Sequence, residues 1–173
     1  MNCYKASPVS RADIRGFVRY LKKKVGLENE LYFPVIQFLE NVLPMLIPDF
    51  QLEIVPENEM GRGVHGETYP SRNLIRIRED VYLRAVAGEG RDRLTIAHEI
   101  GHLFMHEDDS IALCRLAPNE KLRTFEDPEW QANAFGGELL ASSYLIKNMS
   151  VFAVSQKCGV SIDAARVQLG SLS

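Results

Sequence analysis

A helix-rich α+β fold is expected from two changes of hydrophobic period along the chain and from one polar run set inside an apolar helix. Apolar residues recur at helical spacing up to residue 43, alternate with polar ones from residue 50, and return to helical spacing from residue 80. The expected product is a group of helices around a small twisted sheet of about three strands, closed by a C-terminal helical hairpin. A chain of 173 residues can bury one core of its own and is too short for two large ones. It is expected to form one unit made of N-terminal helices (1–49), a sheet with the central helices (50–145) and the terminal hairpin (146–173).

Ser10 is placed to cap a first helix over residues 10–26, where Ile14, Phe17, Val18, Leu21 and Val25 share one face. Lys22, Lys23 and Lys24 read as a solvated helix end, where the helix dipole favours positive charge, and Gly26 ends the segment. Pro34 suits the first position of a second helix over 33–43, closed by Pro44 and Pro48. Phe50, Leu52 and Ile54 alternate with Gln51 and Glu53 as one strand, and Ile75 and Ile77 alternate with Arg76 and Arg78 as another. A further strand is placed between them at Val64 to Tyr69.

Asp80 reads as the cap of a short helix that Gly88 and Gly90 terminate, and a longer helix is expected over 92–106. Residues 107–126 carry no sustained period and read as a long connection. Asp127 and Pro128 then supply a cap and a first turn for a helix carrying Glu129, Trp130, Asn133, Phe135 and Leu139. In the last segment, 150–172, Gly159 separates two short helices and Ser161 caps the second, as in half of a helix-turn-helix. Only Lys157 and Arg166 there offer phosphate contacts, so the segment reads as a hairpin closing the core.

An apolar fraction of 46% with 25% charged residues is that of an ordinary globular protein. No apolar run is long enough to span a membrane, and the N-terminus lacks the apolar core of a signal peptide, so the cytoplasm is the expected location. Cys3, Cys114 and Cys158 are scattered and odd in number, which suits free thiols in a reducing compartment. A net charge of −3 argues against a general affinity for nucleic acid.

The chemistry is concentrated in the run His98-Glu99-Ile100-Gly101-His102. On a helix, positions i and i+4 stand one turn apart on the same face, so both imidazoles can share one metal ion. Glu99 is rotated about 100° from His98, where its carboxylate can serve a nucleophilic water without ligating. The surrounding Ile96, Ala97, Ile100, Leu103 and Phe104 are those of a buried helix, in which ionisable side chains are costly without a shared partner. Gly101 weakens such a helix unless another element packs closely on it.

A catalytic zinc site takes three protein ligands and keeps a position open. His106 stands about 12 Å along the axis from His98, too far for one ion to reach both and His102. Met105 and Asp108 stand where the metzincin pattern needs glycine and histidine. The third ligand therefore comes from another helix, and Glu129 is the best placed. Asn133, one turn on, either holds the second ring nitrogen of a ligand histidine or is an ordinary satisfied polar residue. Glu138 lies on the opposite face, suited to capping or to solvent, while Glu126 and Asp127 serve the N-terminus of their helix.

The segments RDRLTIAHEIGHLFMH (91–106) and DPEWQANAFGGELL (127–140) together resemble the ImmA/IrrE family of gluzincin-type metallopeptidases. The likeness covers most of residues 50–145; the family's frequent Met-Pro after the third ligand is here Ala141-Ser142. The resemblance implies a zincin-like fold, Zn2+ held by His98, His102 and Glu129, and Glu99 as the acid/base of peptide hydrolysis. It further implies a protein partner encoded nearby, a helix-turn-helix (Xre-type) repressor or antitoxin, as in mobile elements, stress responses and toxin–antitoxin modules. Such a partner would be inactivated by cleavage or, alternatively, bound stoichiometrically. A chain ending at residue 173 is expected to be a minimal catalytic unit. His65, Tyr69 and Tyr82 are the candidates for stabilising the oxyanion, and the strand with Ile75 and Ile77 could offer an exposed edge to substrate. Cys114 reads as a small buried apolar residue rather than a thiolate at the metal.

Overall fold

The computed structural model describes residues 5–107 and 123–172. Helix α1 (Arg11–Lys24) leads to a segment made of α2 (Val35–Gln37), a π-helical stretch (Phe38–Val42) and α3 (Leu43–Leu46). Strands β1 (Gln51–Val55), β2 (Gly66–Tyr69) and β3 (Leu74–Arg78) follow, then α4 (Glu79–Val86) and α5 (Gly90–Met105). After the undescribed residues come α6 (Pro128–Leu140), α7 (Ser143–Ile146), α8 (Val151–Cys158) and α9 (Ile162–Gly170). The fold is α+β, helix-rich with one three-stranded mixed sheet.

The caps are those expected at four helices. Ser10 and Asp13 form a reciprocal capping box on α1, Asp127 accepts from the Glu129 backbone on α6, and Ser161 accepts from the Ala164 backbone on α9. Gly159, with φ of 64°, ends α8 in the left-handed region, where a side chain would be strained. In contrast, α4 begins one residue before Asp80, whose carboxylate instead clamps Arg78 (2.5 and 2.9 Å) and Arg84 (2.8 Å). Gly90 opens α5 rather than ending α4, so α5 starts two residues ahead of the expected boundary.

Pro44 also fails to stop its helix. The π-helical turns over Phe38–Val42, with the Leu43 N–H donating five residues back to the Phe38 carbonyl, widen the helix ahead of the proline ring. That register spares Pro44 the usual clash with the carbonyl four residues earlier, and the chain stays helical to Leu46. Lys22 departs from the solvated helix end in another way. It is fully buried, donating to the Glu30 carbonyl (3.0 Å) and Ser142 Oγ (2.9 Å), while Lys23 and Lys24 are exposed. Burial lowers the Lys22 pKa, with partial compensation from Cys158, Glu138 and Glu30.

The sheet order is β1-β3-β2, with β3 parallel to β1 and antiparallel to β2. The strand carrying Ile75 and Ile77 is therefore central and has no free edge, contrary to the expectation of an exposed edge there. Both isoleucines are fully buried against the helices. On the other face Arg76 stands in register with Glu53 of β1 and Glu67 of β2 and pairs with both, at 2.9 and 3.1 Å. Opposite charges placed directly across a strand pair favour the register that joins them.

The core lies where α1, α5 and α6 meet. Phe17, Phe104 and Phe135, one from each helix, pack with ring centroids 5.8–6.1 Å apart. Helices α5 and α6 share the largest contact among the described elements. Two glycines allow it: a Cβ on Gly101 would lie 3.0 Å from the Ala132 carbonyl oxygen, and one on Gly136 would lie 3.1 Å from the His98 nitrogen. The close partner that Gly101 called for is thus the backbone of α6. The terminal hairpin of α8 and α9 packs against this pair, with Val154, Cys158, Val160 and Ala165 in the core.

Two glycine substitutions should separate packing from propensity. At the start of α5, a Cβ on Gly90 would lie 2.5 Å from the Ser161 nitrogen and 2.6 Å from the Val160 carbonyl carbon, both backbone atoms with nowhere to move. Gly90→Ala is expected to destabilise the protein by about 1–3 kcal/mol. Gly16, exposed in α1 with nothing within 4 Å, is the converse case, and Gly16→Ala should stabilise by about 0.4–1 kcal/mol. Urea midpoints at unchanged m-value check both; equal midpoints for the two variants would contradict the packing account.

Candidate metal centre and active-site cleft

His98 and His102 project from one face of α5, and the turn spacing brings their Nε2 atoms 2.9 Å apart. Glu129, in the first turn of α6, reaches across the glycine-mediated crossing. Its Oε2 lies 3.3 Å from His98 Nε2 and its Oε1 lies 3.3 Å from His102 Nε2. The three expected ligand residues thus converge, and among the described residues they form the one group of this kind able to hold a metal ion.

The protonation of the two rings follows from their outer partners. Gln131 uses its amide nitrogen on the Ser7 and Phe125 carbonyls (2.8 Å each), so its Oε1 faces His106 Nε2 (2.9 Å) as an acceptor. His106 Nε2 then carries the proton, and His106 Nδ1 is left as an acceptor for His102 Nδ1, 3.0 Å away. His102 in turn is protonated on Nδ1 and presents a lone pair at Nε2. The Asn133 Oδ1 atom, 3.0 Å from His98 Nδ1, imposes the same tautomer on His98. Burial lowers the pKa of His106, which keeps this ring neutral, as the relay requires.

Two lone pairs aimed at each other across 2.9 Å, with a carboxylate oxygen beside each, require a proton or a cation between them. Without a cation a proton on a ring fills that place, donated to Glu129, whose carboxyl is held well below the usual range by its bonds to His102 and His98. Burial pushes His98 down, but the Glu129 hydrogen bond and the Glu99 charge outweigh it and leave its pKa raised. A divalent metal fits the donor set better. Tetrahedral arms of about 2.0–2.1 Å imply ligand–ligand edges of about 3.3–3.4 Å, close to the separations found, and two imidazoles with one carboxylate leave a fourth position open.

Glu99 lies beside these groups and is almost fully buried. Burial raises its pKa, opposed mainly by the Thr68 hydroxyl, which lies 2.7 Å from Oε2. On the other side, the absent Cβ of Gly66 would fall 2.9 Å from Oε1, so glycine in β2 is what lets the carboxylate lie this close to the strand. The cleft in front of these residues has a volume of about 430 Å3, with Gly63 to Gly66 forming one wall and Arg91, Leu94 and Asn133 another. Its size and open face suit an extended chain.

A model of the peptidase family described as the IrrE N-terminal-like domain matches residues 49–166, more than half of the chain. The chain belongs to this family. The ImmA/IrrE resemblance and the α+β fold it implied are thereby shown, and with them a metallopeptidase-family role. No curated protein gives a significant match.

Of the oxyanion candidates, His65 alone lines the cleft; Tyr69 bonds Glu67 (3.1 Å) and Tyr82 bonds Glu40. Glu138 does not face solvent: it is buried and caps α7 through the Ser143 backbone (2.8 Å) while accepting from Gln168 (2.7 Å). Glu126 pairs with Lys5 at 2.9 Å and is also bonded by the Arg123 backbone just ahead of α6. Cys158 is a buried free thiol, whereas Cys3, Cys114 and most of the long connection fall outside the described residues. Thr68 and Gln131 escaped sequence reasoning because no local pattern relates them to the motif. His106 did carry a signal, its four-residue spacing from His102, but that spacing marks a ring partner rather than a ligand.

The relay and the Thr68 contact should be separable by measurement. His106→Ala removes the acceptor for His102 Nδ1 and should weaken Zn2+ affinity by about 10–100-fold, read by competition with a chromophoric chelator. Thr68→Val should leave that affinity within about twofold, because it touches no ligand. The same affinity loss in both variants would refute the relay.

Proposed function

We propose that the chain is a zinc-dependent endopeptidase that cleaves and inactivates a partner regulatory protein, such as a helix-turn-helix repressor or antitoxin. The observation that carries the reading is the convergence of His98, His102 and Glu129 beside a buried Glu99 at the floor of an open cleft. A zinc ion held by the three residues would supply a Lewis acid that polarises the scissile carbonyl and brings the pKa of a water towards neutrality.

The remaining steps fall to the chain's own groups. Thr68 engages Oε2 of Glu99, so Oε1, beside Gly66 at the cleft, is the atom that takes the proton from the attacking water. A carboxyl whose pKa is raised by burial holds that proton readily and passes it to the leaving nitrogen. Of the three oxyanion candidates, His65 is the one that lines the cleft, and this supports it as the donor to the developing oxyanion. The outer edge of β2 borders the same cleft through Gly66, which makes it the strand on which an extended substrate could align. The choice of a repressor or antitoxin as partner rests on family membership.

Metal analysis of the purified chain is expected to find one zinc, lost in His102→Ala. Glu99→Gln should keep its zinc and cleave the helix-turn-helix protein encoded beside it at least about 100-fold more slowly. Wild-type cleavage by Glu99→Gln would overturn the role given to Glu99. Release of the partner uncut and unaffected by chelator would support stoichiometric binding instead.

A further inference from the structure

Beyond the zinc cleft lies a second chamber of about 710 Å3, within the range of ligand pockets. The two spaces share Arg91, Leu94 and Asn133 and therefore adjoin, within reach of one polypeptide passing His98. Trp130, Ala134 and Val167 contribute apolar walls, and Val167 is 71% exposed, an uncovered aliphatic side chain facing an open space. The charge at the chamber is mainly positive. Arg91 makes no ion pair or side-chain hydrogen bond among the described residues, and the Arg11 guanidinium stands over the Trp130 ring at 5.2 Å. The acidic residue at the rim, Asp163, is engaged by Arg166 at 2.8 Å.

We propose that this chamber is a substrate side-chain pocket that selects a large apolar residue flanked by an acidic one. The apolar side chain loses water against Leu94, Trp130 and Val167, and the neighbouring carboxylate meets Arg91 at the passage between the two spaces. The inference rests on the peptidase reading for its name as a substrate pocket, and deepens it by giving the substrate class. Arg11 lies outside the residues matched by the family model, so the α1 side of the pocket is built by a segment that the family match does not cover.

Trp130 is the only tryptophan of the chain and lines the pocket, so its emission reports occupancy without any turnover. The full chain would be titrated with three acetylated and amidated tripeptides: Asp-Leu-Asp, Asp-Ala-Asp and Lys-Leu-Lys. Asp-Leu-Asp is expected to shift the emission saturably and to bind at least about tenfold more tightly than either of the others. Val167→Asp should abolish the advantage of leucine over alanine, and Arg91→Glu should make Lys-Leu-Lys the better ligand. Unchanged emission, equal affinity for the leucine and alanine peptides, or a charge preference unmoved in Arg91→Glu would overturn the pocket. Binding in the expected order by a zinc-loaded chain that hydrolyses no peptide would keep the pocket and refute the peptidase. Hydrolysis without either preference would do the reverse.

Discussion

The close crossing of α5 and α6 is the constraint on which the rest depends. Helices packed through ordinary side chains stand about 8–10 Å apart, and small residues at the contact allow the short end of that range. Gly101 and Gly136 supply them, one from each helix, with backbone atoms of the partner within about van der Waals distance of where a Cβ would be. Gly101 sits between the two histidines of α5 and directly precedes His102. Gly136 touches the backbone of His98 itself. The glycines are therefore at the same level as the site, and they set how far Glu129 and Asn133 must reach. Helix propensity is lost at both positions, and the compensation is a contact that assembles three donors from two helices.

Around this crossing the polar groups are arranged in chains rather than pairs. The Ser7 and Phe125 carbonyls fasten Gln131, Gln131 orients His106, and His106 orients His102. The N-terminal segment is held in turn by backbone bonds from Ala6 to Glu126 and from Val9 to Phe125. A path of hydrogen bonds therefore runs from the start of the described chain to a ring that faces the metal centre. Such a path is stable in a buried setting only when each donor finds an acceptor. It also has a direction, because a neutral imidazole donates at one nitrogen and accepts at the other. The direction here leaves both Nε2 atoms free at the point where the Glu129 carboxylate arrives.

Much of this was legible in the sequence, and the parts that were not share a cause. Ser10, Asp127 and Ser161 were readable as caps because a cap is a contact between residues two or three apart. Local spacing likewise placed His98, His102 and Glu99 on one helix. Lys22 was misread, and Glu138 was left between capping and solvent, for the opposite reason. A lysine at a helix end and a glutamate on a far face are ordinarily solvated, and only their long-range partners, Ser142 for one and Gln168 for the other, account for their burial. The π-helical turns before Pro44 belong with these, since composition near a proline predicts a stop and the observed hydrogen-bond register avoids one.

The sequence by itself determined the kinds of element, most of their ends, the two histidines and their neighbouring carboxylate, and the helix that carries the third donor. Those properties depend on periodicity and on contacts within a turn, which a linear chain displays. Tertiary structure alone decided that β3 is central, that Thr68 meets Glu99, that His106 steers a ring, and that the candidate metal cleft adjoins a chamber lined from α1 and α9. Each of these is a meeting of residues far apart in the chain. The distance between such residues is set by how backbones pack, and here that packing turns on two glycines that carry no side chain to announce it.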